Sequence, residues 1–144
     1  REWEVGSGKW GVGSGKWGVG SGKWGMKMGK PHERLEAWKF SMDLAKAVYE
    51  MTANFPAEER YGLAQQMRRA AVSIPSNLAE GAGRNSGKEY VHFIGISRGS
   101  LAELDTQMQL AGMLGFTTAD HAAFDLADRA GKLLTGLYKK WRSA

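Results

Sequence analysis

From Pro31 to the C-terminus, apolar residues recur at alternating three- and four-residue intervals, the spacing of helices that pack in a bundle. The first such segment runs from about Glu33 to Ala53 and carries two seams. Leu35, Trp38, Met42, Ala45, Tyr49 and Thr52 form one; Leu44, Val48, Met51 and Phe55 form the other. Two seams on one helix predict contact on more than one side. The second segment is expected to start after the Phe55-Pro56 break, with Pro56 in the first turn and Glu58 and Glu59 complementing the helix dipole. It would bury Leu63, Met67, Ala70, Ile74 and Leu78 and end between Gly81 and Gly83, where glycine allows a left-handed cap. The third opens on the capping-box sequence Ser86-Gly87-Lys88-Glu89. Its seam is the cleanest in the chain: Tyr90, Ile94, Ser97, Leu101, Leu104, Met108 and Ala111, stopped by Gly115. The fourth is expected to be capped by Thr117 or Thr118 and to carry Phe124, Ala127, Ala130, Leu134, Leu137 and Trp141. Short connections make neighbours antiparallel. The expected fold class is all-α, an up-down-up-down four-helix bundle over residues 31–144.

One stretch breaks the ordinary helical pattern. Residues 68–84 combine Arg68, Arg69, a run of alanines, Pro75, Gly81, Gly83 and Arg84. Pro75 cannot donate to Ala71, and its ring crowds that carbonyl, so a kinked second helix is expected. Ser73, Ser76 and Asn77 stand beside the kink and can satisfy freed backbone groups. Ala70, Ala71, Ala79, Gly81 and Ala82 let another backbone approach, and helix three offers Gly95, Ser97, Gly99 and Ser100. Pro75, Asn77, Glu80, Gly81, Gly95 and Gly99 therefore read as structural positions, in a close contact of helices two and three or of copies in neighbouring subunits.

Residues 1–30 are of another kind. Gly-Ser-Gly-Lys-Trp-Gly-Val is written three times over residues 6–26, the last copy ending in Met26, and ten of the chain's 20 glycines lie before Pro31. So many glycines exclude a helix. Four short strands joined by Gly-Ser-Gly turns, or tryptophans stacking on bases or sugars, are the structured readings. The favoured reading is a low-complexity, functionally silent tail, from translated upstream repeat sequence or a vector remnant, with the native start at Met26 or Met28.

Charge changes the picture less than its total suggests. The net charge is +5, but residues 1–30 hold six basic and two acidic side chains, whereas residues 31–144 hold 14 basic and 13 acidic. A binding surface on the bundle must therefore come from local clustering. There is no cysteine, which suits a cytoplasmic location. No apolar run reaches the roughly 20 residues of a membrane span, and the N-terminus lacks the apolar segment of a signal peptide.

Several motifs in order carry a resemblance: Phe55-Pro56, Glu59-Arg60, Gln66-Met67-Arg68-Arg69-Ala70-Ala71, Ser73-Ile74-Pro75-Ser76-Asn77, Ala79-Glu80-Gly81 and Arg98-Gly99-Ser100-Leu101-Ala102-Glu103-Leu104. Together they resemble the four-helix-bundle proteins encoded in 23S rRNA intervening sequences, over about Glu33 to Trp141. The resemblance implies a bundle that assembles as a cyclic homo-oligomer, a pentamer. It also implies kinship with the accessory variability determinant of diversity-generating retroelements, a basic pentamer that works with nucleic acid.

The leading functional expectation is a non-enzymatic, oligomeric protein that binds RNA or DNA or acts as an adaptor. Its candidate contacts are Arg68, Arg69, Arg84, Lys88 and Arg98, since guanidinium groups offer paired donors to phosphate. Arg98, flanked by glycine and serine in a packed helix, is expected instead to pair with Glu80, Glu89 or Glu103, between helices or between subunits. The alternative is a purely structural or protein-partner scaffold using the second seam of helix one and Trp141. An enzyme is not expected. Glu89 and His92 have the Glu-x-x-His spacing of di-iron bundles, but those sites need a second such pair, and none occurs. No cofactor or metal is expected.

Overall fold

Particular side chains and turns set the helix ends, and several fall elsewhere than the sequence suggests. The computed structural model describes residues 30–143; the N-terminal repeat and the Met26 and Met28 starts lie outside them. Among the described residues there are four α-helices and no strand: α1 (Glu36–Thr52), α2 (Leu63–Ala82), α3 (Gly87–Met113) and α4 (Ala122–Arg142). A compact unit spans Leu35–Ala144, and a 3-10 turn at Pro31–Arg34 precedes it. No helix among the described residues is long and apolar enough to cross a membrane.

Pro56 does not begin α2. It leads into a 3-10 turn at Ala57–Glu59, and Gly62 separates that turn from the helix. Glu59 still serves the helix start, because its Oε1 accepts from the Leu63 backbone N–H at 3.0 Å. At the other end, Gly83 is right-handed (φ −86), so the expected left-handed cap is absent. Gly81 lies inside the helix and is buried there for packing. The left-handed glycine is Gly115 (φ 80). It closes α3 with Phe116 N–H on the Ala111 carbonyl and Gly115 N–H on Gly112, the bond pattern of a Schellman cap. Ser86 caps α3 as expected, accepting from Glu89 N–H at 3.0 Å. The cap of α4 is His121, whose Nδ1 accepts from Ala123 N–H. Thr118 is drawn off by Asp120, on which its hydroxyl bonds.

Each helix touches two others, in the closed order α1, α2, α3, α4 and back to α1. Side-chain pairs give the directions. Gly81 lies against Tyr90 and Phe93, Ile74 bonds Ser97 and Ser73 meets Ser100, so α2 and α3 are antiparallel. Tyr90 with Trp141 and Arg98 with Tyr138 give the same sense for α3 and α4. Phe55 and Phe116 pack at 5.3 Å, which brings the C-terminal ends of α1 and α3 together. The result is the four-helix bundle expected from the apolar periodicity.

Its core holds Leu44, Val48, Met51, Met67, Ile74, Leu78, Ile94, Leu104, Met108 and Leu134. All seven seam residues of α3 are buried. In α1 the seam Leu44, Val48, Met51 and Phe55 is buried throughout, while the other seam is mixed, with Trp38 and Thr52 buried and Tyr49 exposed. The second seam is therefore not available to a partner. Trp141 packs its ring edge against Tyr90 at 5.0 Å. Burial pushes the Tyr90 phenol above its ordinary value of 10.0, because the interior disfavours the phenolate.

The α2–α3 contact is close, as expected from its small residues. Ser97 is fully buried and donates to the Ile74 carbonyl at 2.9 Å. Asn77 donates to the Ser73 carbonyl at 2.8 Å, and Ser73 and Ser100 share a hydrogen bond at 2.8 Å. Pro75 is buried inside a helix that continues to Ala82. Gly95 and Gly99 do not join the α2–α3 contact. They lie on the other side of α3, in a trough against α4 with Gly131 and Gly136. Helix geometry explains the split: residues 97 and 100 point to α2, whereas 95 and 99 fall on the opposite flank.

Candidate nucleic-acid interface

The basic residues singled out in the sequence do not form one patch. Arg68 and Arg69 lie in the N-terminal half of α2. Arg84 and Lys88 flank the α2–α3 turn, sixteen residues on, about 24 Å along a helix axis. Arg98 is midway along α3, turned toward α4.

Each has a different environment. Arg68 is half-buried; its Nε donates to Thr52 Oγ1 at 2.7 Å and its Nη2 to the Tyr49 carbonyl at 3.4 Å. Its guanidinium also lies 4.5 Å from the Tyr49 ring centre, a cation–π contact. Arg84, just past the end of α2, pairs with Glu80 of that helix and covers Phe93. Arg98 has no ion pair among the described residues; it lies over Tyr138 at 4.6 Å. Of the expected Arg98–carboxylate pairing, the form between helices of one chain is absent among the described residues, because Tyr138 of α4 reaches that flank of α3. Glu80 is engaged by Arg84, and Glu103 by Gln107. Arg69 and Lys88 are exposed.

Arg98 lines the separate trough between α3 and α4, whereas Arg68 and Arg69 share one groove. It is a cleft of about 550 Å³ on the outer side of α2, lined by Tyr49, Arg60, Tyr61, Gln65, Arg68 and Arg69, with Val72 and Ser73 at one end. Three of its lining residues are arginines and none is a carboxylate. Arg60 and Arg69 carry no ion pair among the described residues. Arg60 and Arg68 also line an adjoining cleft of about 330 Å³ beneath the 53–62 connection. The turn at Arg60–Gly62 brings Arg60 and Tyr61 to the start of α2, and helical spacing carries Gln65, Arg68, Arg69 and Val72 along the same flank.

The groove adds Arg60, Tyr61 and Tyr49 to the candidates. Arg60-Tyr61 lies eight residues before Arg68-Arg69, a spacing near two helical turns that could have grouped them. Tyr49 was obscured by its place in an apolar seam. Tyr61 is 79% exposed and Tyr49 46%, so both rings present a face to solvent beside the cations. Basic groups interleaved with exposed aromatic rings suit phosphates and bases.

No three His, Asp or Glu side chains converge among the described residues. Glu89 follows its capping serine at the start of α3, and His92 stacks edge-on with Phe93.

No curated protein matches this chain. A sequence model of the 23S rRNA-intervening sequence protein family matches residues 33–136, which covers all of α1, α2 and α3 and most of α4. On that match, over well more than half its length, the chain belongs to the 23S rRNA-intervening sequence protein family.

Proposed function

We propose that this chain is a non-enzymatic, oligomeric four-helix-bundle protein that binds nucleic acid, and that its binding surface is the arginine groove of α2. The observation that carries the reading is the concentration of Arg60, Arg68 and Arg69 in one cleft with no lining carboxylate. Residues 31–144 are nearly neutral, with 14 basic and 13 acidic side chains, so this clustering is a local departure from the bulk. Phosphate is the polyanion that guanidinium geometry fits best.

Assembly is the second part of the proposal. The trough between α3 and α4 has Gly95, Gly99, Gly131 and Gly136 among its lining residues and a volume of about 970 Å³. Its rims carry both signs of charge, Arg98, Lys132 and Lys139 with Asp105 and Asp128, which suits contact with a second copy. A ring, a pentamer on the family resemblance, would repeat the α2 groove once per copy and convert a weak local site into a multivalent one.

Size exclusion coupled to light scattering, with absorbance read at nucleic-acid and protein wavelengths, tests both parts together. The expected result is a mass several times that of the chain, with co-eluting nucleic acid that high salt strips away. A monomer would refute assembly. An oligomer free of nucleic acid, which also fails to bind added RNA or DNA at low salt, would leave the purely structural or protein-scaffold reading in its place.

A further inference from the structure

We infer that the α2 groove takes a single-stranded stretch of nucleic acid, with an unstacked base on Tyr61 and the flanking phosphates on Arg60 and Arg69; this rests on the nucleic-acid reading above. Three observations favour a single strand over a duplex. The first is Tyr61, 79% exposed in a turn where its ring supports nothing in the core. A base offers its flat face to such a ring only when it is out of the helical stack. The second is size. A cleft of about 550 Å³ falls within the range of small-ligand sites, roughly 300–1,000 Å³. It accommodates a nucleotide or two, whereas a duplex spreads its phosphates over a broad surface. The third is the fixed wall behind the site. Arg68 is tied to Thr52 and to the Tyr49 carbonyl and lies on the Tyr49 ring, so its remaining N–H donors are held in place before any ligand arrives. Arg60 and Arg69 have no ion pair among the described residues and remain available to phosphate. Gln65 supplies an amide at the same cleft, which can donate to and accept from a base edge.

The roles separate experimentally, because stacking and phosphate contact respond differently. Labelled oligonucleotides of about twelve nucleotides are titrated into the full chain by fluorescence anisotropy, as single strands of RNA and of DNA and as the matching duplexes. The single strands are expected to bind more tightly than the duplexes, and the RNA and DNA arms identify which strand is preferred. Tyr61→Ala is expected to weaken single-strand binding about tenfold, to leave duplex binding unchanged and to leave the salt dependence unchanged. Tyr61→Phe, which keeps the ring, is expected to bind like the parent chain. Both changes are on the surface, and a circular-dichroism spectrum confirms that the helices persist. Equal binding of strand and duplex, insensitive to Tyr61→Ala but weakened by Arg69→Ala, would overturn the single-strand inference while leaving the nucleic-acid reading standing. Absence of binding to every oligonucleotide would overturn both. Displacement of the strand by poly-glutamate, again with Tyr61→Ala silent, would assign the groove to acidic protein segments and overturn the inference.

Discussion

Leu104→Ala is expected to lower the unfolding free energy by about 2–5 kcal/mol. Leu104 is fully buried at the centre of α3, in the seam between Leu101 and Met108. Truncation removes apolar surface and leaves a cavity that neighbours of fixed helical register fill poorly. A domain of this size has only about 5–15 kcal/mol of total stability, so the loss moves a urea midpoint far down. Leu110, on the same helix, is 43% exposed. Leu110→Ala is therefore expected to change stability by no more than about 0.5 kcal/mol. The pair compares one residue type on two faces of one helix. Equal effects would contradict the placement of the α3 seam.

Gly81→Ala is expected to destabilise the bundle by about 1–3 kcal/mol. A Cβ at position 81 would lie 2.7 Å from Phe93 Cβ and 3.1 Å from Tyr90 Cδ1. Phe93 Cβ is fixed to its backbone, so relief requires α2 and α3 to separate. That separation would stretch the hydrogen bonds that Ser97 makes to Ile74 and Ser73 to Ser100. The intrinsic advantage of alanine over glycine in a helix, up to about 1 kcal/mol, offsets only part of the loss. At Gly99 a Cβ would meet nothing within 4 Å, and there the helix preference acts alone. Gly99→Ala is expected to stabilise the isolated chain by about 0.5–1 kcal/mol. Opposite signs in chemical denaturation support the close α2–α3 contact; stabilisation by Gly81→Ala would contradict it.

The bundle was legible in the sequence because burial repeats at a helical period. Every member of the α3 seam from Tyr90 to Ala111 is buried, and the close α2–α3 packing follows from Ala70, Ala71 and Gly81. Helix ends were less legible, since they depend on which of several polar neighbours wins a backbone group. His121 caps α4 because Thr118 is engaged by Asp120, and sequence alone does not rank those alternatives. The glycines misled in a similar way. Gly81, Gly95 and Gly99 look equivalent along the chain, yet Gly81 lies at the contact between α2 and α3 and the other two line an open trough. Their faces depend on angular position about the helix axis.

The candidate site was only half legible. Arg68 and Arg69 were identified from the sequence, but Arg84, Lys88 and Arg98 lie on other surfaces. Arg60 and Tyr61 were passed over although their eight-residue spacing from Arg68 and Arg69 is near two helical turns, and the structure brings them to the groove through the turn before α2. Tyr49 was assigned to the interior because its spacing fitted a seam. Which members of that seam are buried, as Trp38 and Thr52 are and Tyr49 is not, depends on how α2 and α4 pack against α1, and the one-dimensional pattern carries no record of it.

The central claim is that the arginine groove of α2 contacts phosphates, and the salt dependence of binding tests it most directly. For single strands, the slope of log Kobs against log salt changes by about 0.7 for each phosphate contact. With a short single strand that occupies one groove, the Arg60→Ala/Arg69→Ala double variant is expected to bind more weakly, with a slope shallower by about 1.4 than that of the parent chain. The Arg84→Ala variant, which changes a residue outside the groove that is already paired with Glu80, is expected to keep the parent slope. A double variant with the parent slope and affinity would contradict the assignment of the groove.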